Sequence, residues 1–402
     1  MPLRTEPGSA DAPLAPGPPP PTRPTPPAAY ADLHEGGPGG TGGVVARVTL
    51  QTVADKVGVS RMTVSNAFSR PDQLSSDLRL RILAAAEELG YVGPDPAGRA
   101  LARGTTGAVG VLLTDSLGMA FRDEIASGFF GALAEELAPT GLALALLPTR
   151  GSGETIPARD IAMDGALVYA CAGDTPALDW LVRRRLPLVF VEQPPLPGYA
   201  SVVLDDVGGA AAGAQHVLDL GHRDVAILTM APHGEHGLVA DVARASGSYV
   251  DRARVRGWTE TLRAGGARVS AAQVPDNSER HGYEGARLLL DGPDRPTAIL
   301  CFSDLMAWGV VHAAQDLGLR VPEDVSVVGF DDSALAARIR PALTTVRQDL
   351  AAKGRAAAVA LTRAIEAART GTPLAEPLET VLPTELVVRR STAAPRVTAR
   401  AG

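Results

Sequence analysis

The sequence predicts an α/β protein: a small all-α head and a short hinge, followed by two lobes built on doubly wound parallel sheets. Three observations point there. From Gly107 onward, short apolar runs alternate with helix-period stretches, the pattern of parallel strands buried on both faces. That region, residues 107–392, is about 285 residues long, more than one hydrophobic core comfortably holds, so two lobes are expected. Ahead of it, Val48 to Leu101 carries three helix-period segments and a Pro/Gly-punctuated exit.

In the head, Leu50, Val53, Ala54 and Val57 fall at helical spacing behind a Thr49 N-cap, and Gly58 suits the left-handed residue that ends a helix. Ser60 caps a second helix, Arg61 to Phe68, with Val64, Ala67 and Phe68 inward and Arg61, Met62, Ser65 and Asn66 outward. Two short helices joined through one glycine are a helix-turn-helix, whose second helix enters the DNA major groove; the plain alternative is an αα-hairpin with a solvated outer face. Ser75 caps a third helix, Ser76 to Leu89, with Asp77 near its positive end and Gly90 closing it.

The G-V-S turn at Gly58, the T-V-S run at Thr63, the A-A-E-E-L-G-Y helix end and the Pro94-x-x-x-x-Arg99-x-Leu101 exit stand in one ungapped order. This order strongly resembles the DNA-binding head of the lactose repressor (LacI) family. The resemblance implies that Thr49, Ser60, Arg61, Met62, Thr63, Ser65 and Asn66 meet operator DNA. It implies also that Arg99 and Leu101 act in a hinge that folds on DNA, the leucine wedging into the minor groove. Pro96 suits the first position of that helix, but a helix under two turns long, with Gly98 inside it, is marginal in water. The hinge is therefore expected to be disordered in the free protein.

The strand–helix series runs through Ala108 to Leu113, the helix Phe121 to Leu137, Ala143 to Leu147, Gly165 to Ala170, Leu188 to Val191 and Val202 to Leu204. It continues with the helix Gly208 to Leu220, the strand Val225 to Met230, the helix Val255 to Ala264, the strand Ala298 to Phe302, the helix Asp304 to Leu317 and the strand Val325 to Phe330. Asp205-Asp206, Gly221-His222-Arg223, Arg256-Gly257-Trp258, Ser303-Asp304-Leu305-Met306-Ala307 and the run from Val321 to Asp332 look like the same family's effector domain, in order. That likeness implies a periplasmic-binding-protein-like pair of lobes closing on a small molecule, with chain crossings near Asp205, Ala337 and Leu374. The expected domains are a Pro/Gly-rich disordered tail over 1–44, the head over 45–93, the hinge over 94–106, the two-lobed domain over 107–392 and a C-terminal tail over 393–402. For the first of these, a Pro-rich partner motif and a chain that starts near Val45 are the alternatives.

Ligands of open α/β sheets bind beyond the carboxyl ends of the strands. Asp115, Glu192, Ser303, Asp304 and Asp331 follow strands, and Arg256 is expected to open a helix facing the same cleft, with Phe121 and Trp258 as walls. Carboxylates and an arginine around a cleft suit a sugar or similar polyol. Asp304 reads equally as a helix N-cap, and Ser303 stands where the family usually has Asn.

Catalysis finds little support. His233 and His236 lie in a Gly-rich loop without metal-spaced partners, Gly104 to Gly110 precedes a strand instead of following one, and no nucleophile elbow or Walker loop is present. No cofactor and no metal are expected. Cys171 and Cys301 sit apart in apolar surroundings and read as small core residues in a reducing compartment. No apolar run of membrane-spanning length and no secretory leader are seen, so a cytoplasmic protein is expected. The net charge is −7, yet from Arg47 to Thr106 eight Lys/Arg face six acids, a mildly basic head on an acidic protein. The expected function is a ligand-responsive transcriptional regulator, a repressor, binding two-fold operator DNA as a homodimer with a carbohydrate effector. No leucine heptad follows Thr392 to suggest tetramers. The rival is a two-lobed solute-binding protein without a regulatory role.

Overall fold

The computed structural model describes residues 48–113, 117–149, 155–170, 175–193, 196–232, 234–242, 247–374 and 378–396. The expectations for the tail over 1–44, for a start near Val45, and for Asp115, Cys171 and His233 lie outside the described residues. The chain divides into two compact units between Pro94 and Asp95.

The first unit holds α1 (Leu50–Val57), α2 (Arg61–Ser69) and α3 (Ser76–Glu88). Their inward residues Val53, Ala54, Val64, Ala67, Ile82, Ala85 and Ala86 form one core, closed by Phe68 against Tyr91 in an edge-on ring contact with centroids 5.7 Å apart. Gly58 adopts φ 73°, the left-handed conformation that lets α1 turn into α2, and its N–H reaches the Ala54 carbonyl at 2.9 Å.

The second unit begins with α4 (Pro96–Arg103) and continues β1 (Ala108–Leu113), α5 (Leu117–Ala120), α6 (Glu124–Leu137), β2 (Ala143–Pro148), α7 (Pro157–Asp160), β3 (Gly165–Tyr169), α8 (Pro176–Arg183), β4 (Leu188–Val191) and β5 (Ala200–Leu204). Then follow α9 (Asp206–Asp219), β6 (Asp224–Met230), β7 (Gly237–Leu238), α10 (Tyr249–Ala264), β8 (Arg268–Val274), α11 (Glu279–Leu290), β9 (Ala298–Cys301), α12 (Asp304–Asp316) and β10 (Ser326–Val328). The chain ends through α13 (Ala334–Arg338), β11 (Thr345–Gln348), α14 (Leu350–Thr370), β12 (Glu379–Leu382) and β13 (Thr384–Val387).

The first lobe is a six-stranded sheet in the order β12-β5-β4-β3-β1-β2, every pairing parallel. Helices cover both faces, as continuous apolar strands require. Val109, Val111 and Leu113 pack with Phe129, Leu133, Ala357 and Leu361, while Leu112 and Phe190 pack with Ala158 and Leu181 on the other side. The second lobe is a five-stranded sheet, β10-β9-β6-β8-β7, parallel except for the short edge strand β7. Antiparallel β11 and β13 make a separate pair.

The crossings refine the expectation. The first falls at Asp205, between β5 of one sheet and α9, which packs on α10 in the second lobe. The other two do not fall at Ala337 and Leu374. One lies at Asp349, between β11 and α14, and one at Pro383, between β12 and β13. Among the described residues no helix is long and apolar enough to cross a membrane.

His222, in the turn after α9, lies buried under the C-terminal segment, its Nδ1 2.8 Å from Thr297 Oγ1 and its Nε2 2.9 Å from the Ala393 carbonyl. Burial holds its pKa below the ordinary 6.5, against a smaller raising effect of the Ala393 hydrogen bond. Below 6.5 the unfolded chain therefore binds more protons than the folded one, and stability is lost as the pH falls through that region. The thermal midpoint is expected to drop between about pH 7 and about pH 5, with a flatter slope in His222→Asn; calorimetry on both proteins checks it.

Candidate functional site

In the head, the side chain of Thr49 accepts from Thr52 N at 3.4 Å while Thr52 Oγ1 accepts from Thr49 N at 3.2 Å, a reciprocal cap. Ser60 Oγ accepts from Thr63 N at 3.1 Å and lies 2.8 Å from Thr63 Oγ1. Thr49, Ser60 and Thr63 thus fix where the helices start. The outer face of α2 is open: Arg61 is exposed, Met62 is 69 % exposed, and Ser65 and Asn66 are half-buried. Asn66 Nδ2 donates to Gln73 Oε1 at 3.2 Å, which orients its amide across that face.

The hinge segment, expected to be disordered without DNA, is the helix α4 in the structure. Arg99 N–H donates to the Asp95 carbonyl at 2.9 Å and Gly104 N–H to that of Ala100 at 2.8 Å, with Pro96 presetting the first turn. Arg99 is exposed and Leu101 is 87 % exposed. None of its described side chains is buried, and an eight-residue helix in that condition is marginal.

The second constellation is built at the carboxyl ends of β4 and β10. Asp331 accepts from Gln348 Nε2 at 2.7 Å and lies 3.5 Å from an Arg254 Nη2. Arg254 donates through Nε to Asp206 at 2.8 Å and through Nη1 to the Phe302 carbonyl at 2.6 Å. Its guanidinium carbon sits 3.6 Å from the Phe330 ring centroid and 4.7 Å from that of Phe302. Gln348 Oε1 accepts from Lys353 Nζ at 2.7 Å, and the fully buried Lys353 also donates to Glu192. A chain of hydrogen bonds closed by one ion pair, Arg254 with Asp331, therefore runs Glu192–Lys353–Gln348–Asp331–Arg254–Asp206 from the first lobe to the second. Ala334 N donates to Glu124 Oε1 at 3.3 Å, a direct bond between the lobes.

Glu192 at φ 59° and Asp331 at φ 116° occupy the left-handed region, which costs roughly 1–3 kcal/mol each and persists where the surroundings hold it. Burial drives the Asp331 pKa well above the carboxylate range; Arg254 opposes this, while Asp304 and Asp123 add to it. Burial alone would lower the Arg254 pKa, but Asp206 and Asp331 outweigh it and keep the guanidinium charged.

Several expected residues fall elsewhere. Arg256 does not open a helix: α10 starts at Tyr249 behind a Ser248–Asp251 capping box, and Arg256 lies mid-helix on the exposed face. The buried arginine is Arg254. Gly257 makes its reach possible, since a Cβ there would stand 2.4 Å from the Val207 carbonyl, so α10 can press against α9 and bring Arg254 to Asp206. Trp258 is core, packed with Ala210, Val255 and Leu262, and Phe121 is 61 % exposed; the aromatic walls around the arginine are Phe302 and Phe330. The cap of α12 is Ser303, which accepts from Met306 N at 3.1 Å and donates to Asn277 Oδ1 at 2.5 Å. Asp304, buried, accepts from Thr345 Oγ1 at 2.5 Å and from Ser333 N at 2.8 Å, and burial carries its pKa to about 7. It braces the strand end that presents Asp331.

Arg254, Asp206, Gln348 and Lys353 escaped the sequence reading. The signal was helical phase. Asp251, Arg254, Val255, Trp258 and Leu262 form the buried stripe of α10, and Lys353, Ala357, Leu361 and Ala364 that of α14. A cation inside an apolar stripe has to find a buried partner.

Residues 49–93 match the family described as bacterial regulatory proteins, lacI family, and residues 214–392 match a periplasmic binding protein-like domain. An HTH-type transcriptional regulator of Mycolicibacterium smegmatis is 38% identical over 330 residues, 77% of this chain and 89% of that protein. The HTH-type transcriptional regulator IpsA of Corynebacterium glutamicum is 35% identical over 329 residues, 79% of this chain and 91% of that one. Among solved structures, the Lac repressor dimer bound to operator and the anti-inducer ONPF is similar with a TM-score of 0.70 at 26% identity, covering 86% of this chain and 99% of that one. The CelR–cellobiose complex is similar with a TM-score of 0.61 at 28% identity, covering 86% and 100%.

Proposed function

The chain belongs to the lacI family of bacterial regulatory proteins, and from that premise we propose that it is a cytoplasmic repressor whose operator affinity is set by a carbohydrate effector. It is a DNA-binding transcriptional regulator. It binds a pseudo-palindromic operator as a homodimer, and it catalyses no reaction. Phosphate contacts position the head, and Arg61, Met62 and Asn66 read base edges in the major groove. Arg99 and Leu101 engage the site from the hinge. The effector sits between the lobes against Glu192, Arg254 and Asp331.

The observation that carries this reading is one chain with both an open recognition-helix face and a charged, buried relay across two lobes. The solved relatives support it, one as a dimer on operator and one with cellobiose. The test is a promoter footprint followed by binding of Asn66→Ala to the protected site and to random DNA. A loss of roughly 1–3 kcal/mol on the operator, with little change on random DNA, is expected. An equal loss on both would mean that Asn66 touches only the backbone.

A further inference from the structure

We infer that the interlobe cleft selects an uncharged polyhydroxylated effector and disfavours phosphorylated or carboxylate-bearing ones, with Glu192 and Lys353 as the selecting pair. This rests on the cleft being the effector site.

Three carboxylates from three elements converge there: Asp123 at the start of α6, Glu192 after β4 and Asp331 after β10. Glu192 and Asp331 stand at the two ends of the Lys353–Gln348 bridge, and Asp123 adjoins Glu124, which accepts from Ala334 N across the lobes. Burial raises the Asp123 pKa, with Glu192 adding to it, and Asp123 contributes to the rise at Asp331. Among the described residues, the arginine and lysine side chains that are fully buried are Arg254 and Lys353, and both are already engaged. Arg254 lies between Asp206 and Asp331; Lys353 lies against Glu192 and Gln348. The half-buried Arg389 and the more exposed Arg347 beside Asp331 are both paired with Asp332. An arriving anion would have to draw one of these cations off its carboxylate in a low-dielectric site, while facing the remaining acids.

Acceptors, by contrast, are left over. Asp331 is 7 % exposed and directs Oδ1 to Gln348 and Arg254, while among the described residues no donor reaches its Oδ2. Asp123 caps Ile125 and Ala126 through Oδ1 alone. Hydroxyl groups donate to such oxygens, whereas a phosphate dianion has nothing to donate and adds repulsion.

The test uses the full chain and matched pairs of compounds: neutral hexoses, pentoses, inositols and disaccharides against their phosphates and uronic acids. Thermal shift and calorimetric titration are run on wild type and Glu192→Gln, with operator binding measured alongside. A neutral polyol is expected to bind wild type at least 100-fold more tightly than its charged counterpart. Glu192→Gln frees the Lys353 ammonium, so the gap should narrow at least tenfold. A phosphorylated or acidic compound that binds wild type best, or a panel in which no neutral polyol binds, overturns the inference. A gap unchanged in a Glu192→Gln protein that still binds operator removes the selecting role of the pair; should that variant not fold, the wild-type comparison alone decides. An anionic compound that binds more tightly than every neutral one and also shifts operator affinity would sink the inference while leaving the regulator standing. A neutral polyol that binds without moving operator affinity would do the reverse.

Discussion

Arg254→Ala is expected to abolish the effector response and to destabilise the effector domain by about 3–5 kcal/mol, the usual cost of breaking a buried ion pair from one side. Asp206 would be left buried without its 2.8 Å donor, and Asp331 without the guanidinium 3.5 Å away. The ring contacts with Phe302 and Phe330 would also go. Arg254→Lys separates stability from recognition, because it keeps the charge and loses the planar fork that serves Asp206 and the Phe302 carbonyl together. It should fold, with a weakened response. Arg256→Ala is the control: its side chain is exposed, and a change of no more than about 0.5 kcal/mol is expected. Thermal melts and operator titrations with and without effector check all three. A response lost in Arg256→Ala and kept in Arg254→Ala would return the cleft arginine to position 256.

The contrast between those two arginines shows what was legible in the chain. Strand ends and helix caps depend on local chemistry, so Thr49, Gly58 and Ser60 lie where their side chains or backbone freedom place them, and β1, β3 and β4 appear as uninterrupted apolar runs. Helix phase depends on where a helix starts. The alternation of arginine with Ala253 and Val255 from Arg252 to Arg256 hid the true start of α10 at Tyr249, and with it which arginine turns inward. Lys353 and Gln348 were hidden for another reason. Lys353 meets Glu192 only because the chain recrosses at Asp349, and no local pattern encodes a contact 161 residues apart. Gln348 meets Asp331 through the bridge that pairs Asp331 with Arg347. The β11–β13 pair has the same origin: four-residue strands whose partner is set by the crossing and not by their own alternation.

Leu101→Ala is expected to weaken operator binding by roughly tenfold to a hundredfold and to reduce DNA bending, from the ~1.5–3 kcal/mol that burying a leucine side chain contributes. Effector affinity of the free protein should not move, because Leu101 is 87 % exposed and supports no core. Gly98→Ala works the other way. A Cβ at Gly98 would meet only Asp95 Cβ, at 3.9 Å, so alanine fits and the helix gains up to about 1 kcal/mol. Operator binding should tighten by about fivefold, with a blunted effector response, because a hinge already folded has less to gain from DNA. Anisotropy titrations and gel-shift bending assays on the two variants check this pair.

Occupancy of the cleft is expected to reach the operator through α4, a helix too short to stand firmly unless something holds it. Amide hydrogen exchange over residues 95–104 measures that directly, in the free protein, on operator, and on operator with effector. Fast exchange is expected in the free chain, strong protection on operator, and a protection that shifts again once the cleft is filled. Equal protection of this segment in all three states would contradict it.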